Sequence, residues 1–175
     1  MQNKKLPDIE RTSYSNENVD VETAMFGAGC FWGVEDKLNN TPGVLSTQVG
    51  YAGGSTEEPT YKQVCSGKTG HAEVVYVEFD RSRISYNDLL ELFFNMHNPT
   101  TMNRQGWDIG TQYRSVIFYY SGEQEKAAKT MIETLEDSGK FRNPIVTQVV
   151  AAPEFWRAEE YHQKYYQKHG GSCSN

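Results

Sequence analysis

Cysteine is scarce in this chain: Cys30, Cys65 and Cys173 are the only three among 175 residues, an odd number with no CxxC pair. A zinc ribbon and a secreted disulfide scaffold are therefore excluded, and in a reducing compartment all three begin as thiols. Histidine is almost as thin, and His71, His97, His162 and His169 form neither HxxxH nor HExxH, so no metal site is expected. No apolar run approaches the length of about eighteen residues that a membrane span needs, and MQNKKLPDIERTSYSNENVD at the start lacks the apolar core of a signal peptide. A cytoplasmic location without membrane association is the expectation. Positive charge is also in deficit: the net charge is -6, with Lys and Arg scattered apart from short pairs such as Lys4-Lys5. Such a surface repels phosphate backbones, and nucleic acid is not expected as a partner.

What the chain does hold is apolar and aromatic: 37% hydrophobic and 13% aromatic residues, enough for one sizeable core. Residues 1–20 are polar and without period and read as an arm. VETAMFGAG reads as a strand, CFWGVEDKLNN as a helix that stops before Thr41-Pro42-Gly43, and VLSTQVGYAGG as a strand that dissolves into glycines. PTYKQVCSG supplies one or two helical turns and HAEVVYVEFD alternates strictly as a strand. Ser85 with Asp88 has the spacing of a capping box that opens YNDLLELFFNMHN, and Ser121 with Gln124 caps a helix running to about Asp137. SVIFYY and IVTQVVAA are strands, and FWRAEEYHQKYYQKHG reads as a closing helix. Between them PTTMNRQGWDIGTQY is a long aperiodic loop of the kind that often carries function. Strands interleaved with helices indicate an α/β or α+β two-layer sandwich around a mixed sheet.

One thiol stands out. In AMFGAGCFWGVE a strand turns into a helix at Cys30, where free N–H groups and the positive end of the helix dipole favour thiolate. Gly29 permits a sharp turn and Gly33 leaves space one turn on. Phe31, Val34 and Leu38 form the stripe that presses on the sheet, whereas Trp32 lies off it and suits a pocket wall. The alternative is a cysteine that merely packs at a strand end, with Phe31 packing beside it. In GHAEVVYVEF the alternation puts Glu73 on the apolar face with Val75, Val77 and Phe79; desolvation there raises a carboxyl's pKa and makes it a proton donor at neutral pH. The alternatives are a strand-end Glu that pairs with Arg or reaches water, and His71 as the donor. Tyr61, Asp108 and Tyr113 complete the candidates, but with eleven tyrosines the residues alone do not choose among the phenols. A thiol hydrolase or acyl transferase pairing Cys30 with His71 or His97 would use the same features. So would a module binding peptides through a Trp32 pocket.

The motifs GCFWG (29–33), GYAGG (50–54), PTYKQVCSGKTGHAEVV (59–75), NPTTMNRQGWDIGTQYRSVIFY (98–119) and FWRAEEYHQKY (155–165) together resemble the A-type peptide methionine sulfoxide reductases. The resemblance covers about residues 22–166. It implies an α+β two-layer sandwich, related to the ferredoxin-like α-β plait, with a mixed sheet and long irregular loops. It further implies a single catalytic domain over 21–168, a mobile tail over 169–175, no cofactor and a monomer. By the same resemblance Cys30 is the nucleophile, Glu73 the acid, Tyr61 and Tyr113 donors to the sulfoxide oxygen and Asp108 their support, while Phe31 and Trp32 hold the substrate's methyl group. The S epimer of methionine sulfoxide would be reduced, leaving Cys30 as a sulfenic acid; Cys173 in GGSCSN would resolve it to a disulfide, and thioredoxin or a similar dithiol would reduce that. Cys65 is read as structural, its thiol turned inward; a local resolving role is the alternative.

Overall fold

The computed structural model describes residues 18–171; Cys173 and nearly all of the expected N-terminal arm lie outside them. Three strands make the centre: β1 (Val21–Ala28), β2 (Val44–Ala52) and β3 (Ala72–Asp80). β3 lies between the other two, antiparallel to both. Between β1 and β2 runs helix α1 (Phe31–Asn39), and the single-turn helix α2 (Tyr61–Cys65) precedes β3. Then come α3 (Tyr86–Met96), a two-stranded ribbon of β4 (Arg104–Gln105) and β5 (Asp108–Ile109), and a 3₁₀ turn at Thr111–Tyr113. β6 (Ser115–Tyr119), α4 (Gly122–Asp137), β7 (Gln148–Ala151) and β8 (Trp156–Arg157) complete the sheet, whose order is β7-β6-β1-β3-β2-β8. It is mixed as expected, because β6 and β7 run parallel and every other pair antiparallel.

Strand alternation decides which layer is which. Ala24, Phe26 and Ala28 of β1, Val75, Val77 and Phe79 of β3 and Ile117 of β6 share a cluster with Phe31, Val34 and Leu38 of α1 and with Leu89, Leu90, Phe93 and Phe94 of α3. The opposite face, with Met25, Val74, Tyr76, Val116 and Phe118, is covered by Ala152 and Phe155. All three longer helices thus lie on one side, which makes two layers. At nine residues α1 is too short to persist alone; its buried Phe, Val and Leu, at about 1.5–3 kcal/mol each, hold it on the sheet. Both halves of the Ser85–Asp88 capping box form, and Ser121 Oγ accepts the Gln124 N–H at 3.2 Å. Among the described residues no helix is long and apolar enough to cross a membrane.

The closing helix is a correction. Residues 155–169 instead form β8, a 3₁₀ turn at Glu160–His162, a left-handed Lys164 (φ 53°) and a short helix α5 (Tyr165–His169). The pull comes from the edge of β2. Gln163 bonds both the N–H and the C=O of Val49 at 2.9 Å, and the Ala158 N–H donates to the same carbonyl at 3.0 Å. The Lys164 N–H and Nζ both donate to the buried Glu35 carboxylate, at 2.8 and 2.9 Å. Satisfying a sheet edge and a buried carboxylate outweighs the few tenths of a kcal/mol per residue that separate helix formers from other residues. IVTQVVAA is likewise shorter than read, its strand confined to Gln148–Ala151.

Candidate active site

Because β1 and β3 are antiparallel, with Phe26 opposite Val75, the exit of one and the entry of the other lie side by side. That topology brings Cys30 and Glu73 together. The turn at the exit needs glycine: Gly29 has φ +92°, and a Cβ there would meet Gln105 Cγ of β4 at 2.7 Å. Cys30 is the N-cap of α1, half-buried, and makes no side-chain capping bond. The first amide of the helix, Phe31 N–H, donates to Glu73 Oε2 at 3.1 Å. Glu73 therefore ends one residue from the thiol, on one of the free N–H groups that a helix start offers.

Glu73 is 2% exposed. Burial pushes its pKa up to about 8, with the Asp108 charge adding to the rise and the Phe31 amide working against it. The apolar-face reading of Glu73 is thus met in geometry and in electrostatics, and no Arg pairs with it among the described hydrogen bonds. Tyr61 opens α2, where Thr60 and Gln63 form a capping box. Burial, the neighbouring Cys65 thiol and the Glu73 charge raise its pKa. Tyr113 ends the 3₁₀ turn; burial raises its pKa too, followed by the charges of Glu73, Cys65, Asp108 and Cys30. Both phenols thus stay protonated donors at any physiological pH. Asp108 is itself exposed on β5, within electrostatic reach of Glu73 and Tyr113. The aperiodic loop accordingly contributes two of the candidates, and Cys30, Glu73, Tyr61, Tyr113 and Asp108 form one cluster.

Phe31 is buried in the core, its ring 5.8 Å from Tyr51 and 5.1 Å from His162. Trp32 is half-buried, off the core stripe as the spacing predicts, and stacks on Tyr165 at 3.8 Å while its Nε1–H donates to His162 Nδ1 at 3.0 Å. Cys65 is exposed as a residue, yet its thiol turns inward as read, within hydrogen-bond reach of the Tyr61 hydroxyl, and desolvation of the sulfur raises its pKa. Helix spacing explains this, since Tyr61 and Cys65 are four apart on α2.

Both histidines that a thiol hydrolase would need are engaged elsewhere. His71 Nδ1 accepts the Gly54 N–H at 3.0 Å and its Nε2–H donates to Thr56 C=O at 2.7 Å. His97 Nδ1–H donates to Phe93 C=O and its Nε2 accepts from Ser115 Oγ, each at 2.7 Å. Two residues of the site were not singled out by sequence. Glu159 accepts the Tyr61 N–H and the Tyr51 hydroxyl, both at 3.0 Å, and so anchors α2; His162 sits among the aromatic rings. Both belong to the segment read as a helix, where only an acid and a histidine next to apolar rings could have flagged them.

A family model described as peptide methionine sulfoxide reductase matches residues 22–175. The "Peptide methionine sulfoxide reductase MsrA" of Methanoculleus marisnigri is 58% identical over 151 residues, covering 86% of this chain and 92% of that protein. The MsrA of Geobacter sulfurreducens is 56% identical over 158 residues, 90% of this chain and 98% of its own. Among solved structures, reduced Mxr1 from Saccharomyces cerevisiae superposes with a TM-score of 0.82 at 34% identity and 88% coverage of both chains.

Proposed function

Since the chain belongs to the peptide methionine sulfoxide reductase family, we propose that it reduces the S epimer of methionine sulfoxide, free and in proteins, by direct attack of the Cys30 sulfur on the sulfoxide sulfur. The observation that carries this reading is a buried carboxyl hydrogen-bonded to the amide next to the thiol, where burial pushes its pKa up to about 8. A sulfoxide oxygen leaves only if it is protonated as charge gathers on it. Glu73 Oε2 accepts the Phe31 N–H, so the acid's proton sits on Oε1, and that is the proton transferred. General-acid help of this kind is worth on the order of 10²- to 10⁴-fold. Tyr61 and Tyr113 donate to the same oxygen, with Asp108 in support, and Phe31 and Trp32 face the methyl group.

The protonated oxygen then passes from the substrate sulfur to the Cys30 sulfur as the S–S bond formed by the attack breaks; that electron pair returns to the thioether, which departs, and Cys30 is left as sulfenic acid. The Cys173 thiol then condenses with it, releasing water and forming a Cys30–Cys173 disulfide. A thioredoxin-type dithiol reduces that bond by exchange; yeast Mxr1 has been solved in complex with Trx2. No bound cofactor takes part. The catalytic unit is residues 21–168, acting as a cytoplasmic monomer, with 169–175 as the tail that delivers Cys173.

Single-turnover assays with methionine S-sulfoxide test the scheme. Cys173→Ser yields one equivalent of methionine and stalls with a sulfenic acid on Cys30, read by mass mapping after trapping with a cyclic dione; Cys30→Ser yields none. Undiminished steady turnover by Cys173→Ser with a dithiol protein would move resolution to another thiol, and product without any change at Cys30 would end the scheme.

A further inference from the structure

His162 has 0% exposure, and no other acidic or basic side chain among the described residues is so enclosed. The reaction gives it no task. Its ring is surrounded by aromatics, with centroids at 4.1 Å from Tyr161, 4.4 Å from Tyr61, 5.1 Å from Phe31 and 5.7 Å from Trp32. Since Nδ1 accepts the Trp32 Nε1–H, it must be bare, and the ring's one proton is on Nε2. That Nε2 is buried without a hydrogen-bond partner. Burial also lowers the ring's pKa, opposed by the nearby Glu159 charge, which keeps the ring neutral and Nδ1 available.

A buried, unpaired N–H is destabilising, a penalty that a phenylalanine of similar shape would avoid. What phenylalanine lacks is the acceptor at Nδ1. The Trp32 indole lies flat on Tyr165, 3.8 Å apart with 6° between planes; such a stack fixes the plane but leaves the ring able to slide and turn within it. One hydrogen bond to the indole edge removes that freedom. We propose that His162 is a positioning residue for substrate: as a neutral acceptor it locks Trp32 in one orientation, and through Trp32 it sets the wall that receives the methyl end of the sulfoxide. The inference rests on the reaction proposed above, with Trp32 facing the methyl group. It touches binding rather than oxygen transfer, because a methyl contact is made alike before and during reaction, and its loss weakens substrate affinity without slowing the bound complex.

Two replacements separate the acceptor from the ring. In single-turnover reactions His162→Phe, which fills space without an acceptor, raises the half-saturating sulfoxide concentration about three- to tenfold and leaves the saturating rate within about twofold, the span of one hydrogen bond. His162→Asn, whose Oδ1 stands near the place of Nδ1, restores the wild-type value. The Trp32 indole N–H proton resonance moves in the Phe variant and returns in the Asn variant. Trp32→Phe, which has no N–H to give, raises half-saturation similarly, and adding His162→Phe to it changes nothing further. An unchanged half-saturation in His162→Phe, or an Asn variant that behaves like the Phe variant, overturns the role. Should His162→Phe not fold, His162→Leu, which also lacks an acceptor, takes its place against His162→Asn, and equal half-saturation in those two overturns the role. Failure of the wild-type protein to reduce the sulfoxide would sink the reaction itself, a result distinct from any of these.

Discussion

Glu73 keeps its proton because the fold removes water from it and offers it one amide, not a cation. With its pKa near 8, the single-turnover rate of the wild-type protein stays level through neutrality and falls as pH rises past about 8. Glu73→Gln slows that step at least about tenfold at pH 7, and a stopped-flow pH profile reads both effects. This much was readable in the sequence, since strand alternation puts an acid among Val75, Val77 and Phe79 and a strand-to-helix turn marks Cys30. Tyr61 and Tyr113 were not readable from composition, with eleven tyrosines to choose from, and were placed by resemblance alone. His162 was beyond reach for a plainer reason: its partner Trp32 is 130 positions away, and no local pattern encodes such a pairing.

The segment from β8 to α5 shows where local preference loses. Phe155 to His169 has helix-forming composition, yet it spends Gln163 on the edge of β2 and Lys164 on Glu35. Glu35 is 1% exposed and also accepts from Thr47 Oγ1 at 3.0 Å, so removing its charge leaves a partly buried ammonium without its carboxylate. Glu35→Gln lowers stability by about 2 kcal/mol, seen as a lower urea midpoint at unchanged m-value. Gly50 shows how tightly the segment sits, because a Cβ there would meet Trp156 C=O at 2.4 Å and the Phe155 ring at 2.5 Å. Helices α1 to α4 and strands β1, β2, β3 and β6 were readable because each carries its own period or stop signals, and α2, α3 and α4 also have a capping side chain. The β4–β5 ribbon was not, since two residues a strand are too few to show alternation.

Buried acid and buried histidine make the folded protein answer to pH in opposite directions. The Glu73 pKa is raised from 4.5 to about 8, so between those values the folded state holds a proton that the unfolded chain releases, and stability falls as pH rises. The His97 pKa is lowered from 6.5 to about 4, by burial first, with the Lys37 charge adding and the Phe93 carbonyl opposing; here the unfolded chain takes up the proton, and stability falls as pH drops through that window. Where the windows overlap, from 4.5 to 6.5, these two slopes oppose each other, while the lowered pKa of buried His162 adds its own loss as pH drops below 6.5. Thermal melts at a series of pH values thus give a decline from about pH 6.5 to 8, where the raised Glu73 pKa dominates, and a decline toward acid below 6.5, where the two buried histidines outweigh it. Glu73→Gln flattens the alkaline side and steepens the rise toward pH 6.5, whereas His97→Gln weakens the loss on the acid side.

The sheet ends on two stubs: β7 contributes four residues at one border and β8 two at the other. A long bare border is a template for any stretched polypeptide that drifts past. On the activity toward oxidised proteins proposed above, an extended segment that reaches Cys30 meets a sulfur to react with but, among the described strands, almost no ladder to join.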